Sequence, residues 1–266
     1  VASVGPAPGL MDFTGLFADY RARADSMGLC PSTVELTDAN GTTVLDPANL
    51  PPGSNAYLTV TDGRTNVLRL TGANLNNLAA LTFRNQPTAT APLLIVVDTT
   101  ATGGSLTWHL PNMAGISPAQ APYIIWDFPD ATEITMADGD SLRGTVFAPR
   151  AHLRDLDPAN IDGDIAVRSF EAGPLTATGA VNAGEIHNFP FNAEIQCPTD
   201  NGESPSPSPS PSPSVPTPSV PSAGTPSAPG TAPGTAPGSG PAVRAAAALA
   251  AALLLAGLAL LRRRRS

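Results

Sequence analysis

Lysine is absent from all 266 residues. That gap excludes a Walker-type phosphate loop, whose lysine neutralises nucleotide phosphates, and a Schiff-base mechanism. It also excludes the Lys–Asn isopeptide staples of many pilin-like domains, and it fits a GC-rich genome that encodes Arg instead. Aromatic residues are scarce, with eight Phe, three Tyr and two Trp. The three histidines, His109, His152 and His187, include no HExxH pair and no second His at metal-ligand spacing. There is no G-x-S-x-G turn to expose a serine nucleophile. His187, inside Glu185-Ile186-His187-Asn188, reads as a structural hydrogen-bonding group. No catalytic residue, cofactor site or metal site is assigned, and the chain is expected not to be an enzyme.

Positive charge is also missing where nucleic acid would need it. The formal net charge is −8, and it is unevenly spread. All 22 acidic residues lie at or before Glu203 with only nine Arg beside them, a net of −13 over residues 1–203. Such a region repels phosphate backbones, so nucleic-acid binding is excluded. The last 63 residues hold five Arg and no acid.

What is abundant is proline, 30 residues, of which 13 fall between Pro205 and Pro241. Over that stretch 31 of 37 residues are Pro, Ser, Gly or Thr, a composition with almost nothing to bury. Residues 200–241 are therefore expected to be a disordered stalk. Fully extended as polyproline II it would reach on the order of 110 Å, enough for a bacterial cell wall. Behind it, residues 245–261 form a run of 17 apolar residues, nine of them Ala. As a helix it would span ~26 Å, slightly less than a hydrocarbon core. Arg244 on one side and Arg262, Arg263, Arg264 and Arg265 on the other orient it with the C-terminus in the cytoplasm. The reading is four parts: a folded domain over 1–199, the stalk over 200–241, a transmembrane helix over 242–261 and an Arg tail over 262–266. The LPxTG pentapeptide cleaved by sortase is absent from the sequence; the nearest segments are Ala228-Pro229-Gly230-Thr231 and Ala236-Pro237-Gly238-Ser239. The chain opens on Val1 without a basic segment and apolar run before the domain, so a removed signal peptide or an N-terminally incomplete domain is expected.

Within residues 1–199, Leu10, Phe13, Leu16, Phe17, Tyr20, Ala24 and Met27 recur at helical spacing, with Asp12 as N-cap and Gly28 at the end. Short β-rich runs follow: Thr33–Thr37, Ala56–Thr61, Asn66–Thr71, Ala80–Arg84, Leu93–Asp98, Ser105–His109, Tyr123–Phe128, Glu133–Met136, Gly144–Ala148 and Gly163–Arg168. Leu93 to Val97 and Tyr123 to Trp126 are apolar throughout, which predicts strands buried on both faces. Leu142-Arg143-Gly144-Thr145-Val146 echoes 19 residues later as Ile161-Asp162-Gly163-Asp164-Ile165, with a looser copy at Thr178-Gly179-Ala180-Val181. Apolar-x-Gly-x-apolar at this spacing predicts successive rungs of a parallel β-solenoid. The expected fold is mainly β: a β-solenoid with one packed N-terminal α-helix, followed by the stalk and the membrane helix. Cys30 and Cys197, the only two cysteines, are expected to pair in an exported chain.

Acids cluster at Asp138 and Asp140, and at Asp155, Asp157, Asp162 and Asp164. Ordinary Asp-Gly turns explain them; a Ca²⁺ site or the paired acids of a membrane-tethered polysaccharide-acting enzyme are the alternatives. Three Thr-x-Thr patches, Thr88/Thr90, Thr100/Thr102 and Thr176/Thr178, invite comparison with ice-binding solenoids, but their uneven spacing predicts no regular array.

Ile124-Ile125-Trp126-Asp127-Phe128-Pro129-Asp130-Ala131, then Leu142-Arg143-Gly144-Thr145-Val146-Phe147-Ala148-Pro149-Arg150-Ala151, and the ending Gly184-Glu185-Ile186-His187-Asn188-Phe189-Pro190-Phe191 resemble the choice-of-anchor A family over residues 124–191. Asp127 stands where that family's pattern usually has Asn. The resemblance implies an exported bacterial surface domain, often labelled collagen-binding or adhesive and carried by varying C-terminal anchors. Members usually begin with strands upstream of the helix. The resulting expectation is a Gram-positive cell-surface adhesin binding an extracellular matrix protein or polysaccharide, with a passive surface-layer protein as a further alternative.

Overall fold

A computed structural model describes residues 9–173 and 184–197. Helix α1 (Phe13–Gly28) begins at Asp12, whose carboxylate accepts the Gly15 backbone N–H at 3.0 Å. The expected N-cap holds, but the apolar stripe is only half used. Ala24 is fully buried, whereas Leu10 and Phe13 are exposed. The helix packs on the sheet from Tyr20 onward, through Tyr20, Ala24 and Met27, so the apolar positions of its first turn lie outside that contact.

After α1 the chain makes a small antiparallel start, β1 (Leu36–Thr37) with β2 (Val44–Leu45), joined to β3 (Ser54–Leu58). From β3 onward every described pairing between strands is parallel, and the chain advances in passes. One pass is β3, β4 (Asn66–Thr71) and the short helix α2 (Gly72–Asn76). The next is β5 (Leu78–Phe83), β6 (Leu93–Asp98) and β7 (Ser105–Leu110). Then come β8 (Asn112–Ala114), β9 (Ile124–Asp127) and β10 (Glu133–Gly139). The later passes are β11 (Leu142–Arg143) with β12 (Thr145–Asp155), then β13 (Ile161–Asp162) with β14 (Ile165–Ala172), and finally β15 (Ile186–His187).

Strands of successive passes lie side by side. β3, β5 and β8 form one ladder, continued in kind by β11, β13 and β15. A second runs β4, β6, β9 and the first half of β12 and β14; a third runs β7, β10 and the second half of β12 and β14. β12 serves both because it bends between Ala148 and His152, where the register shifts. Pro149, which has no N–H to give a ladder, sits in that bend.

The 19-residue echo is realised as direct stacking: Leu142 pairs with Ile161, Arg143 with Asp162 and Val146 with Ile165. Its glycines are where passes touch. Gly144 and Gly163 have φ of 116° and 155°, and a Cβ on Gly163 would lie 2.2 Å from the Gly144 carbonyl oxygen. The looser copy at Thr178–Val181 lies outside the described residues; the strand beside β13 is β15.

Strand β6 shows why a continuous apolar run is needed. Leu93, Ile95 and Val97 face the interior of the passes, while Leu94 and Val96 face α1 with Ala24, Cys30, Ile125 and Phe147. Inside, Trp108 lies 5.2 Å from both Trp126 and Phe128, and all three are fully buried. Cys30 and Cys197 are disulfide-bonded, with Cα atoms 5.0 Å apart, which ties the end of α1 to the end of the domain. Among the described residues no helix is long and apolar enough to cross a membrane; the apolar segment, Arg244 and Arg262 to Arg265 lie outside them.

Candidate functional site

Along β7 the sequence Ser105-Leu106-Thr107-Trp108-His109-Leu110 alternates polar and apolar, so one side of the strand fills the interior and the other faces water. β10 and the second half of β12 do the same. Parallel pairing then brings the outward residues into rows across passes. One row is Ser105, Glu133, His152 and Ser169; the next is Thr107, Thr135, Arg154 and Glu171. His109 sits opposite Asp138 after a register shift. Ser105, Thr107, His109, Glu133, Asp138, Ser169 and Glu171 are exposed, and Thr135, His152 and Arg154 are half-buried. Neighbouring rungs are ~4.8 Å apart and alternate residues ~6.6 Å apart, so the face is a grid of hydrogen-bonding groups.

The charges on this grid are mutually paired. Arg154 Nε lies 3.1 Å from Glu171, Arg168 lies 3.4 Å from Glu133, and His109 Nδ1 lies 2.7 Å from Asp138. His152 Nδ1 lies 2.8 Å from the Ser169 hydroxyl. Exposed pairs of this kind contribute little to stability, about 0–1 kcal/mol each. Their consequence is positional: they hold long side chains down on the sheet and leave a polar face with donors and acceptors interspersed.

The acids singled out in the sequence are used elsewhere. Asp155 occupies an inward position and is almost wholly buried, accepting the Asp157 N–H at 3.1 Å; burial pushes its carboxyl up to about 6. Asp157 accepts the Ala159 N–H at 2.9 Å, and Asp164 accepts the Phe191 N–H at 3.3 Å. Asp162 is buried between Arg143 Nε at 3.1 Å and His187 Nδ1 at 2.7 Å. These carboxylates shape turns and tie passes together; they do not converge on an open groove. His187 also holds Glu185 at 3.0 Å through Nε2, and its two carboxylate partners, Glu185 first, raise its pKa. With both ring nitrogens engaged it is a tie between the last passes, the structural part expected of it. Asp138 and Asp140 lie at a corner, where Asp140 accepts from Asn112. Among the described residues no group of three or more His, Cys, Asp or Glu side chains is arranged to hold a metal ion.

The threonine patches lie away from the grid. Thr88 and Thr90 hydrogen-bond to each other in a loop, Thr90 also to Asp62, and Thr100 and Thr102 belong to a short 3₁₀ turn held by Asp98 and Thr99. Thr176 and Thr178 lie outside the described residues. On the grid itself only Thr107 and Thr135 are neighbours, flanked by Arg154. The sequence reading did not single out the grid residues as a surface. Alternation in Ser105–Leu110 was the available signal, but the spacing between matching positions, 105 to 133 to 152 to 169, is irregular and hid the register.

No curated protein and no solved structure matches the chain. Residues 2–188 match one protein-family profile, described as "Putative Ice-binding-like adhesive domain". The match takes in α1, the parallel passes and the polar grid together, and it suggests binding rather than catalysis. On that evidence the chain belongs to the ice-binding-like adhesive domain family.

Proposed function

We propose that this protein is a bacterial cell-surface adhesin whose domain is a β-solenoid, and that the polar grid on β7, β10, β12 and β14 is its binding face. The observation that carries the reading is the row structure itself: outward side chains from four successive passes stand in register and open to solvent. A face of rows at even spacing suits an extended partner, because successive rungs present polar contacts at the same interval. Its chemistry is that of hydroxyls, carboxylates and guanidinium groups, with no exposed aromatic ring in either row. That favours a polar polymer, a polysaccharide or an extracellular matrix protein, over an apolar partner. Interspersed charges and a pair of threonines in place of an array argue against ice.

The Pro/Ser segment over 200–241 supplies the stalk in this reading, and residues 242–261 with the Arg tail supply a single-pass membrane anchor that leaves the domain outside the cell. Composition and charge support both. The resemblance to choice-of-anchor A proteins over 124–191 supports the same placement. Individual contacts on such a face are weak, and many copies on one cell raise the effective strength through avidity.

The test is binding of the full chain, in detergent, to collagens and to cell-wall and plant polysaccharides across a salt series. Saturable binding to one class that survives moderate salt is the expected result. Absence of binding to every member by a folded, disulfide-bonded sample would overturn the adhesin reading in favour of a passive surface layer.

A further inference from the structure

Asp127 is fully buried, and neither carboxylate oxygen has a hydrogen-bond partner. It lies on β9 on the same side as Ile125, the side that α1 covers, with Val96 and Phe147 beside it in register. The charged groups facing it are Asp25 from α1, Asp130 from the turn after β9, Arg69 from β4 and Arg150 from β12. Both arginines are committed elsewhere. Arg69 donates to the Gly28 and Cys30 carbonyls at 2.5 and 2.9 Å, which holds the end of α1. Arg150 pairs with Asp25 at 2.8 Å and donates to the Pro129 carbonyl. A carboxylate in this position would be an unpaired buried charge, which is costly, so the group is a neutral acid while the helix is docked. Burial chiefly, and then Asp25 and Asp130, pushes its pKa up to about 8.

We propose that Asp127 is a proton-controlled latch for α1: protonated, it lets the helix lie on the sheet, and ionised, it drives the helix off. Opening would uncover the apolar strip of Leu94, Val96 and Ile125, while the Cys30–Cys197 disulfide keeps the released helix tethered at its C-terminal end. The sign follows from proton linkage. The closed form keeps its proton to about pH 8, and the open form loses it near the ordinary value of about 4. Between those limits the opening constant rises about tenfold per pH unit, and it levels off above pH ~8.

The experiment is hydrogen exchange of the amides of residues 13–28 in the full chain, corrected for intrinsic rates, at pH 6 and pH 8, for the wild type and Asp127→Asn. The expected result is a rise in the wild-type opening constant of at least about tenfold and a change of less than about twofold in D127N. An equal rise in both, or none in the wild type, would overturn the proposal. If D127N fails to fold, infrared spectroscopy of the wild type decides. The latch requires a protonated-carboxyl band at pH 7 that is gone by about pH 9.5, and its absence at pH 7 would overturn the latch.

Discussion

The glycines of the repeat are set by contact between passes. Gly163 combines a φ of 155° with a backbone carbonyl oxygen 2.2 Å from where its Cβ would be, whereas Gly53, with φ 78°, has open space around it. Gly163→Ala should therefore cost about 2–4 kcal/mol, a strained backbone plus a displaced rung, and Gly53→Ala only about 1 kcal/mol. Chemical denaturation of the two variants checks the difference; equal costs would mean that the passes are not in contact there. This was legible in the sequence because Gly144 and Gly163 are 19 residues apart with apolar residues in matching places. Asp127 was not. It appeared as a mild departure from Asn, and only its depth under α1 shows that a protonated Asp can stand where a neutral amide would.

Elements were read with uneven success, for reasons that differ by length. Nine of the ten strand candidates appear as strands of four or more residues, because alternation or continuous apolarity leaves few other readings, whereas Thr33–Thr37 shrinks to the two-residue β1. β2, β8, β11, β13 and β15 are two or three residues long and carry too little pattern to be seen alone. The apolar spacing runs past the packed part of α1 at its start because amphipathic periodicity does not reveal where the supporting sheet ends. Two element-scale predictions follow from how strands and helix are tied. Arg143, Asp162 and His187 link three consecutive short strands, and Asp162 is only 4% exposed. Asp162→Ala should cost about 3 kcal/mol by removing the counter-charge of the largely buried Arg143 and a partner of His187. Urea denaturation measures this, and a loss under about 1 kcal/mol would show the ion pair to be dispensable. Reducing Cys30–Cys197, which spans 167 residues of sequence, should cost roughly 3–5 kcal/mol in the chain-entropy account, read as a lower denaturation midpoint in dithiothreitol.

At the scale of the molecule the titrating groups act in one direction above pH 4. Asp127 and Asp155 have raised values, about 8 and about 6, so each binds its proton more tightly folded than unfolded, and stability falls as pH rises through those ranges. His187 is raised as well, and the stability it contributes below its unfolded value is lost as pH climbs through its folded one. Asp38, Asp46 and Asp98 are lowered by hydrogen bonds, and what they contribute disappears in acid. Melting temperature should therefore peak well on the acid side of neutrality, near pH ~4, and decline toward pH ~8; a maximum at pH 8 would contradict this balance. The central claim is that the in-register polar grid is the binding face. It is tested most directly by measuring adhesion of the full chain to the polysaccharide and collagen panel with Thr107→Arg and Thr135→Arg, which place bulk and charge at the edge and in the middle of one row from outward-facing positions. The account predicts at least a tenfold loss of binding (~1.4 kcal/mol or more) with an unchanged melting temperature. Wild-type binding by both folded variants would contradict it and move the adhesive surface elsewhere on the domain.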